Sequence, residues 1–172
     1  MRFQHFAFML FVISASTITD VARAASPRLL LQNGDWKAYT LPNEEGKICY
    51  VVAKPLRTEG GGKARGVTHL FINFRPRLAV KDEVIIEASY PFKKNAPVVA
   101  TVSNNKFSFV SDNIRAWQVG AGTDRALVRA MLRSKTIVVQ SNSAQGAQIT
   151  ATYSLRGFAE AYAAAAKDCG SL

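Results

Sequence analysis

The side chains of this 172-residue sequence whose types could carry out catalysis form no recognisable catalytic motif. Of the two histidines, His5 lies near the N-terminus and His69 lies in an apolar run. A histidine in such a run is more often a surface or hydrogen-bonded residue of a sheet than a general base. A zinc site requires three or four ligands, and His69 with two cysteines that can pair does not supply them. We therefore expect neither a metal site nor a cofactor.

Carboxylates are the other side chains that could support acid–base chemistry. Glu44-Glu45 and Asp82-Glu83 are neighbouring pairs in predicted turns, and adjacent side chains on extended backbone point to opposite faces. The two carboxylates of each pair are therefore not expected to act together as an acid and a base, although carboxylates distant in sequence can meet in a fold. No Gly-x-Ser-x-Gly elbow is present. The sequence predicts a protein without catalytic residues, and a hydrolase with an unrecognised carboxylate site is the alternative.

The charge balance favours an acidic partner. The sequence has 22 lysines and arginines against 12 acidic residues, a formal net charge of +10 at pH 7. Four of these cations stand close to prolines at predicted strand ends, where turns are exposed: Arg75, Arg77, Lys93 and Lys94. We expect them to cluster at one end of the fold as a contact surface for an anionic partner. The alternative is dispersed charge that only supports solubility.

Two further features have both a functional and a structural interpretation. Trp36, Tyr90 and Trp117 could line a ligand groove, but aromatic residues on the strands of a small sandwich more often pack in the core. The glycine-rich stretch 58–66 lacks the Gly-Lys-Ser/Thr ending that runs into a helix, so it predicts a mobile loop rather than a phosphate-binding loop.

The elements that must position these residues are mostly short strands. Alternating polar and apolar residues, rich in β-branched and aromatic types, predict strands over residues 35–40, 47–53, 67–74, 84–89, 98–102, 107–110, 115–119, 136–140 and 148–153. Apolar residues one turn apart predict short helices over 123–133 and 157–167. The pattern predicts a mainly β fold, an antiparallel immunoglobulin-like β-sandwich with two short helices.

The N-terminus has the three parts of a secretory signal peptide. Arg2 precedes the apolar stretch 6–13, and Ala22-Arg23-Ala24 forms an A-x-A cleavage site. Cleavage after Ala24 would leave a mobile lead-in over 25–32 and one domain over 33–172, with no transmembrane span. The apolar stretch is too short and too polar in its second half for a retained anchor. We expect a periplasmic location, which makes nucleic acid a poor partner for the basic chain.

The two cysteines of the sequence suggest a disulfide. Cys49 and Cys169 lie near opposite ends of the predicted domain, and no third cysteine competes for either. In an oxidising compartment such a pair most simply forms one long-range bridge. Two free thiols or a metal-bound cysteine are the alternatives.

A series of short motifs runs through the predicted domain. The most specific is Thr152-Tyr153-Ser154-Leu155-Arg156-Gly157-Phe158, followed by Ala161-Tyr162 and Cys169. The preceding motifs are Asp35-Trp36, Cys49-Tyr50, Lys54-Pro55, Arg75-Pro76, Tyr90-Pro91-Phe92-Lys93, Ala116-Trp117, and Asp124 with Leu127-Val128-Arg129-Ala130-Met131. On these motifs the sequence resembles the invasion-associated locus B family of exported bacterial proteins. That family commonly has a Ser-x-Arg-Gly-Thr turn, which is Ser143-Ala144-Gln145-Gly146-Ala147 here, so a partner contact through that arginine would be lost.

The resemblance implies an exported, periplasmic or envelope-associated β-sandwich. In some pathogens the family is linked to entry into host cells, and the resemblance supplies no catalytic residue or cofactor. We therefore expect a non-catalytic binding or envelope-associated module whose basic surface contacts an anionic envelope component or an acidic protein surface. A hydrolase acting on envelope polymer is the alternative from a different class.

Overall fold

Eleven strands, two α-helices and a 3-10 helix make up the part of the chain that the computed structural model describes, residues 25–43, 46–61, 68–120 and 122–170. The strands are β1 (Arg28–Asn33), β2 (Trp36–Asn43), β3 (Gly46–Ala53), β4 (Arg57–Gly60), β5 (Thr68–Arg75), β6 (Val80–Ala88), β7 (Val98–Val102), β8 (Asn105–Asp112), β9 (Arg115–Trp117), β10 (Thr136–Asn142) and β11 (Gln148–Ser154). The helices are α1 (Thr123–Met131) and α2 (Phe158–Asp168), and the 3-10 helix Pro76–Leu78 connects β5 with β6. The predicted antiparallel, mainly β fold with two short helices is confirmed.

The strands form one antiparallel sheet in the order β1-β2-β3-β5-β6-β9-β8-β7-β10-β11-β4. In this order β8 lies between β9 and β7 and pairs with both. It connects a first half of the sheet, formed by β1, β2, β3, β5, β6 and β9, with a second half, formed by β7, β10, β11 and β4. Side chains join strands that are far apart in this order. The Tyr153 hydroxyl on β11 donates to Thr68 Oγ1 on β5 over 2.8 Å, and Trp36 Nε1 on β2 donates to the Ser154 carbonyl over 2.9 Å. The sheet therefore folds back on itself, which is consistent with the predicted sandwich.

A two-residue period assigns one face of most strands to the core. Along β5, Leu70, Ile72 and Phe74 are fully buried, while His69 and Phe71 are half-buried on the other face. Helix α2 covers the inner face of β1, β2, β3 and β5, and α1 packs on β6, β7 and β8. Neither of the two described helices covers the outer face of β2, β3 and β5.

The disulfide between Cys49 and Cys169 is present, which confirms the predicted pairing. It joins β3 to the residue that follows α2, 120 positions later in the sequence. The ring of Phe158 at the start of α2 packs on Trp36, with ring centroids 4.7 Å apart. Both ends of α2 are thereby fixed to the first half of the sheet, one by packing and one covalently.

The start of α2 also meets the β1–β2 turn through a close backbone approach. The Asp35 amide donates to the Arg156 carbonyl over 3.2 Å. Gly34 and Gly157 lie on the two sides of this contact, both with positive φ, of 53° and 83°. A Cβ at position 157 would lie 2.1 Å from the Asn33 carbonyl oxygen, so only glycine allows the two segments to approach this closely.

Two parts of the sequence prediction need correction. The predicted mobile lead-in over 25–32 is wrong from Arg28 onward, because β1 pairs with β2 along its length. The predicted mobile loop over 58–66 is wrong in its first part, because β4 pairs with β11. Residues 62–66 of that loop, the signal peptide over 1–24 and the Glu44-Glu45 pair lie outside the described residues.

Candidate functional site

The four cations predicted to form one surface lie at opposite ends of the fold. Arg75 ends β5 and Arg77 follows in the 3-10 helix, so both lie at the turn into β6. Lys93 and Lys94 come after the far end of β6, where the Lys93 amide donates to the Asn142 carbonyl over 2.8 Å. The nine residues of β6 separate the two pairs by roughly 30 Å at about 3.4 Å per residue. The prediction of a single cluster is therefore wrong, because it counted strand ends without assigning them to one edge.

Arg75 is also engaged within the fold. Its guanidinium forms a salt bridge with Glu83 on the neighbouring strand β6, and Asn73 Nδ2 donates to the same carboxylate over 3.1 Å. This arrangement neutralises Arg75 on the sheet surface, so it contributes little to attraction of an anionic partner.

The three aromatic residues with two interpretations divide between core and surface. Trp36 and Tyr90 are buried, which confirms the core interpretation for both. The side chain of Trp117, on β9, is 39% exposed. It pairs with Ile85 of β6 and with Val110 of β8 across the sheet, and both flank it as cross-strand neighbours. The favoured core interpretation is therefore wrong for Trp117, and the three residues do not form one groove.

A cleft of about 720 Å³ lies instead on the open outer face of the first half of the sheet. Its floor is formed by outward side chains of β2, β3 and β5, and one side is formed by the segment that leaves β3 toward β4. We call it the Tyr50 cleft. Its lining residues are Pro27, Asp35, Lys37, Tyr39, Tyr50, Val52, Ala53, Lys54, Pro55, Leu56, His69 and Phe71.

The floor of the Tyr50 cleft is a row of cross-strand aromatic contacts. Tyr39 and Tyr50 are direct partners in the β2–β3 register, and their rings stack with centroids 5.3 Å apart. The Tyr50 ring lies 6.0 Å from Phe71, and Phe71 lies 6.0 Å from His69. These side chains are half-buried beside one another, and neither α1 nor α2 packs on this face. Burial, and then the nearby Tyr39, raises the pKa of the Tyr50 hydroxyl, so it stays neutral at physiological pH.

Cationic side chains stand at the rim of the cleft. Lys37 on β2 and Lys54 just after β3 are exposed residues of the cleft lining, and Asp35, which also lines the cleft, lies 3.8 Å from the Arg156 guanidinium. Burial lowers the pKa of His69, and the charge of Lys54 lowers it further, while Glu87 has the opposite effect. His69 is therefore neutral at pH 7, and the cleft has a positive rim above an apolar floor.

The neighbouring carboxylates Asp82 and Glu83 point to opposite faces of β6, although Asp82 has a left-handed backbone with φ 66° and not the extended backbone assumed in the prediction. Asp82 is only 2% exposed, accepts the Tyr162 hydroxyl hydrogen bond over 2.5 Å, and lies 3.8 Å from the Arg125 guanidinium. Glu83 lies on the outer face with Arg75. Asp82 therefore connects β6 to both helices.

Asp124, at the start of α1, is the second carboxylate in this region. Its Oδ1 accepts from the Val84 amide of β6 over 3.3 Å. Burial raises the pKa of Asp124 to about 6, and the nearby acidic groups Glu83 and Asp82 act in the same direction. The carboxyl group is thus partly protonated near neutral pH, and its hydrogen bond holds α1 against the sheet.

Neither a metal site nor a membrane span is found in the described part of the chain. Among its residues, no group of three or more His, Cys, Asp and Glu side chains is placed to hold a metal ion. Over the same residues, no helix is long and apolar enough to cross a bilayer.

Sequence reasoning missed the Tyr50 cleft because its residues come from three strands. Tyr39, Tyr50 and Phe71 are separated by intervals of 11 and 21 positions, and only the strand register makes them neighbours. One signal was available. In the predicted strands 35–40 and 67–74, Tyr39 and Phe71 occupy positions of the more polar face, which alternation assigns to solvent, whereas strand 47–53 is apolar on both faces and gives no such signal for Tyr50.

Comparison with known proteins gives one family. The family described as "Invasion associated locus B (IalB) protein" matches residues 36–166, which cover most of the chain and extend from the start of β2 into α2. This confirms the resemblance that the motifs indicated. Comparison with curated proteins and with solved structures found no match.

Proposed function

This chain belongs to the invasion-associated locus B family, and we propose that it is a non-catalytic, exported binding module that holds its ligand in the Tyr50 cleft. The cleft replaces the predicted surface of Arg75, Arg77, Lys93 and Lys94 as the contact site, since those cations lie at two ends of the fold.

One observation carries this proposal: half-buried aromatic rings line a large open cleft on the outer face of the sheet. Small-molecule sites in proteins commonly have volumes of about 300–1,000 Å³, apolar walls and a few polar groups, and the cleft of about 720 Å³ has these properties. Within the described residues no helix covers this aromatic row, and such a row is costly to expose to water. A ligand that covers Tyr39, Tyr50 and Phe71 would remove that cost.

The titratable groups support binding rather than turnover. The hydrogen bonds of Asp82 and Asp124 join β6 to the helices, so both carboxylates have structural partners. His69 has no carboxylate in hydrogen-bond range to orient it as a base among the contacts of the described residues, and its aromatic neighbour is Phe71. These environments favour a binding module over an envelope-polymer hydrolase.

The disulfide supports the proposed export. Bridges of this kind persist in oxidising compartments such as the periplasm and are rare in the cytosol. We place the processed protein in the periplasm or at the envelope, with an envelope component as its ligand. In a pathogen, such binding would be the molecular basis of the family's link to host-cell entry.

The test uses protein expressed from its full sequence, purified from the periplasm and immobilised. Solubilised bacterial envelope is passed over three forms: wild type, Val52→Arg and Val138→Arg. Val52 is a half-buried outward residue in the cleft floor, and Val138 is a half-buried outward residue of β10 in the second half of the sheet. The two variants make the same substitution at matched positions, and only the first fills the cleft.

We expect wild type and Val138→Arg to retain the same envelope material and Val52→Arg to lose it while its circular dichroism spectrum is unchanged. Equal retention by all three forms, or no retention by wild type, would refute the proposal. Degradation of envelope polymer that is lost in Asp124→Asn would favour the hydrolase instead.

A further inference from the structure

The Tyr50 cleft combines an apolar floor with an apolar side. Val52 and Phe71 lie in the floor beside Tyr50, and Leu56, with 61% of its surface exposed, stands on the segment that leaves β3. An exposed leucine next to half-buried aromatic residues is a surface that hydrocarbon covers favourably, because burying apolar area is favourable in proportion to the area. The floor therefore fits the apolar part of a ligand rather than its polar groups.

The net charge of the cleft lining is positive. Lys37 and Lys54 bring two ammonium groups to its rim, while the carboxylate of Asp35 lies near Arg156. In a rim of this kind the potential is positive, and a complementary ligand carries negative charge at one end. The separation of apolar floor and cationic rim matches a ligand with the same two parts.

We propose that the Tyr50 cleft binds a single-chain anionic amphiphile, a fatty-acid-like carboxylate, with its hydrocarbon chain against Tyr50, Val52 and Phe71 and its carboxylate beside Lys37 and Lys54. This inference rests on the proposed binding function and names its ligand class. Since a carboxylate gains from both lysines and the chain gains from the floor, neither part alone binds as well as the whole.

His69 makes this binding dependent on pH. It faces Lys54 at the end of β3 and Glu87 on β6, and Glu87 is itself held by Arg115 of β9 over 2.7 Å; Asp35 and Lys37 of β2 line the same cleft. Burial and Lys54 hold the pKa of His69 below its usual value. A ligand carboxylate beside Lys54 offsets this repulsion and raises the pKa, so binding takes up a proton and tightens as the pH falls through the range of the bound-state pKa.

The experiment measures binding of three probes to the periplasmic protein by titration calorimetry, each below its micelle concentration. Dodecanoate carries both chain and charge, butanoate carries the charge with a short chain, and dodecyl maltoside carries the chain without charge. We expect dodecanoate to bind at least tenfold more tightly than either of the others. Each further CH2 that enters the cleft should tighten binding about fourfold, equivalent to about 0.8 kcal/mol.

Two double variants test the rim. Lys37→Ala/Lys54→Ala should weaken dodecanoate binding at least tenfold and leave dodecyl maltoside unchanged. Lys93→Ala/Lys94→Ala removes the same charge from the far end of β6 and should change neither. The imidazole NMR signals of His69 should shift on addition of dodecanoate, and its pKa should rise. The protein purified from the periplasm is expected to carry no other histidine, which makes these signals unambiguous.

Dodecanoate binding that leaves the His69 signals unmoved, or that the two double variants weaken equally, would overturn the inference. Absence of dodecanoate binding would also overturn it. If the immobilised wild type nevertheless retained envelope material and Val52→Arg did not, the binding function would stand with another ligand class. Retention on vesicles of anionic two-chain phospholipid, without dodecanoate binding, would assign the surface to a membrane instead.

Discussion

Replacement of Gly157 by alanine should destabilise the protein well beyond the ordinary cost of a left-handed alanine. Gly157 precedes α2 with φ 83°, and a Cβ there would lie 2.1 Å from the oxygen and 2.4 Å from the carbon of the Asn33 carbonyl. Both neighbours are backbone atoms of the β1–β2 turn, so no side-chain rotation relieves the overlap. Either the turn or the first turn of α2 must move, and the contact between Phe158 and Trp36 moves with it.

Gly146 provides the matched control. Its φ is 85°, and a Cβ built on it meets nothing within 4 Å. Gly146→Ala therefore measures the conformational cost alone, about 1 kcal/mol. Gly157→Ala adds an overpacking cost of about 1–3 kcal/mol, for a total of about 2–4 kcal/mol.

Urea unfolding gives the free energies, and thermal unfolding gives a second measure. For a domain of this size about 1 kcal/mol lowers Tm by about 2–4 °C, so we expect a decrease of about 2–4 °C for Gly146→Ala and about 5–15 °C for Gly157→Ala. Equal losses for the two variants would refute the reasoning, because they would mean that the turn and the helix do not approach as closely as described.

Two further predictions concern the disulfide and Asp124. Denatured, unreduced protein should contain no titratable thiol, and two free thiols in the wild type would contradict the bridge. The double variant Cys49→Ser/Cys169→Ser should lower the free energy of unfolding, measured in urea, by about 4–5 kcal/mol. This is the chain-entropy value for a closure of 120 residues. The pKa of Asp124 rises from 3.8 to about 6 on folding, so its contribution to stability is fully present below pH 4 and is lost as the pH rises to about 6. Because the carboxyl is partly exposed to solvent, we expect a loss of about 1–2 kcal/mol between pH 4 and pH 7 that is absent in Asp124→Asn, and parallel pH profiles for the two proteins would contradict this.

The sequence predicted those elements whose pattern is set by burial. Strands such as β5 and β7 alternate strictly because one face packs in the core, and α2 is marked by alanines and by Phe158 and Tyr162 one turn apart. For these elements, local pattern and tertiary environment agree, so alternation and spacing were sufficient.

The two strands that the sequence missed lie at the edges of the sheet. β1 (RLLLQN) has three consecutive leucines instead of an alternation, and it pairs on one side only. β4 (RTEG) is exposed along its whole length, and its extended conformation depends on backbone hydrogen bonds to β11. A strand that buries little leaves no periodic signal in its own residues, because its partner determines its conformation.

The candidate site was less predictable than the fold. Cys49 and Cys169 could be paired from the sequence because no other pairing exists. The prediction of one cationic surface was wrong because Arg75 and Lys93 lie at opposite ends of β6. The sequence shows that these residues are near strand ends, but it does not show which strand ends lie at the same edge of the sheet. Tyr39 and Tyr50 are neighbours only through the β2–β3 register, which depends on pairing across the whole sheet.

The disulfide also changes what a single backbone cut can do to this molecule. Cys49 and Cys169 enclose most of the described chain, so a peptide bond broken at any position between them leaves two pieces that are still one covalent molecule. A protease acting at the envelope would open a loop without releasing a fragment, and the nicked protein would keep the mass of the intact one, apart from a water molecule, until a reductant separated the pieces.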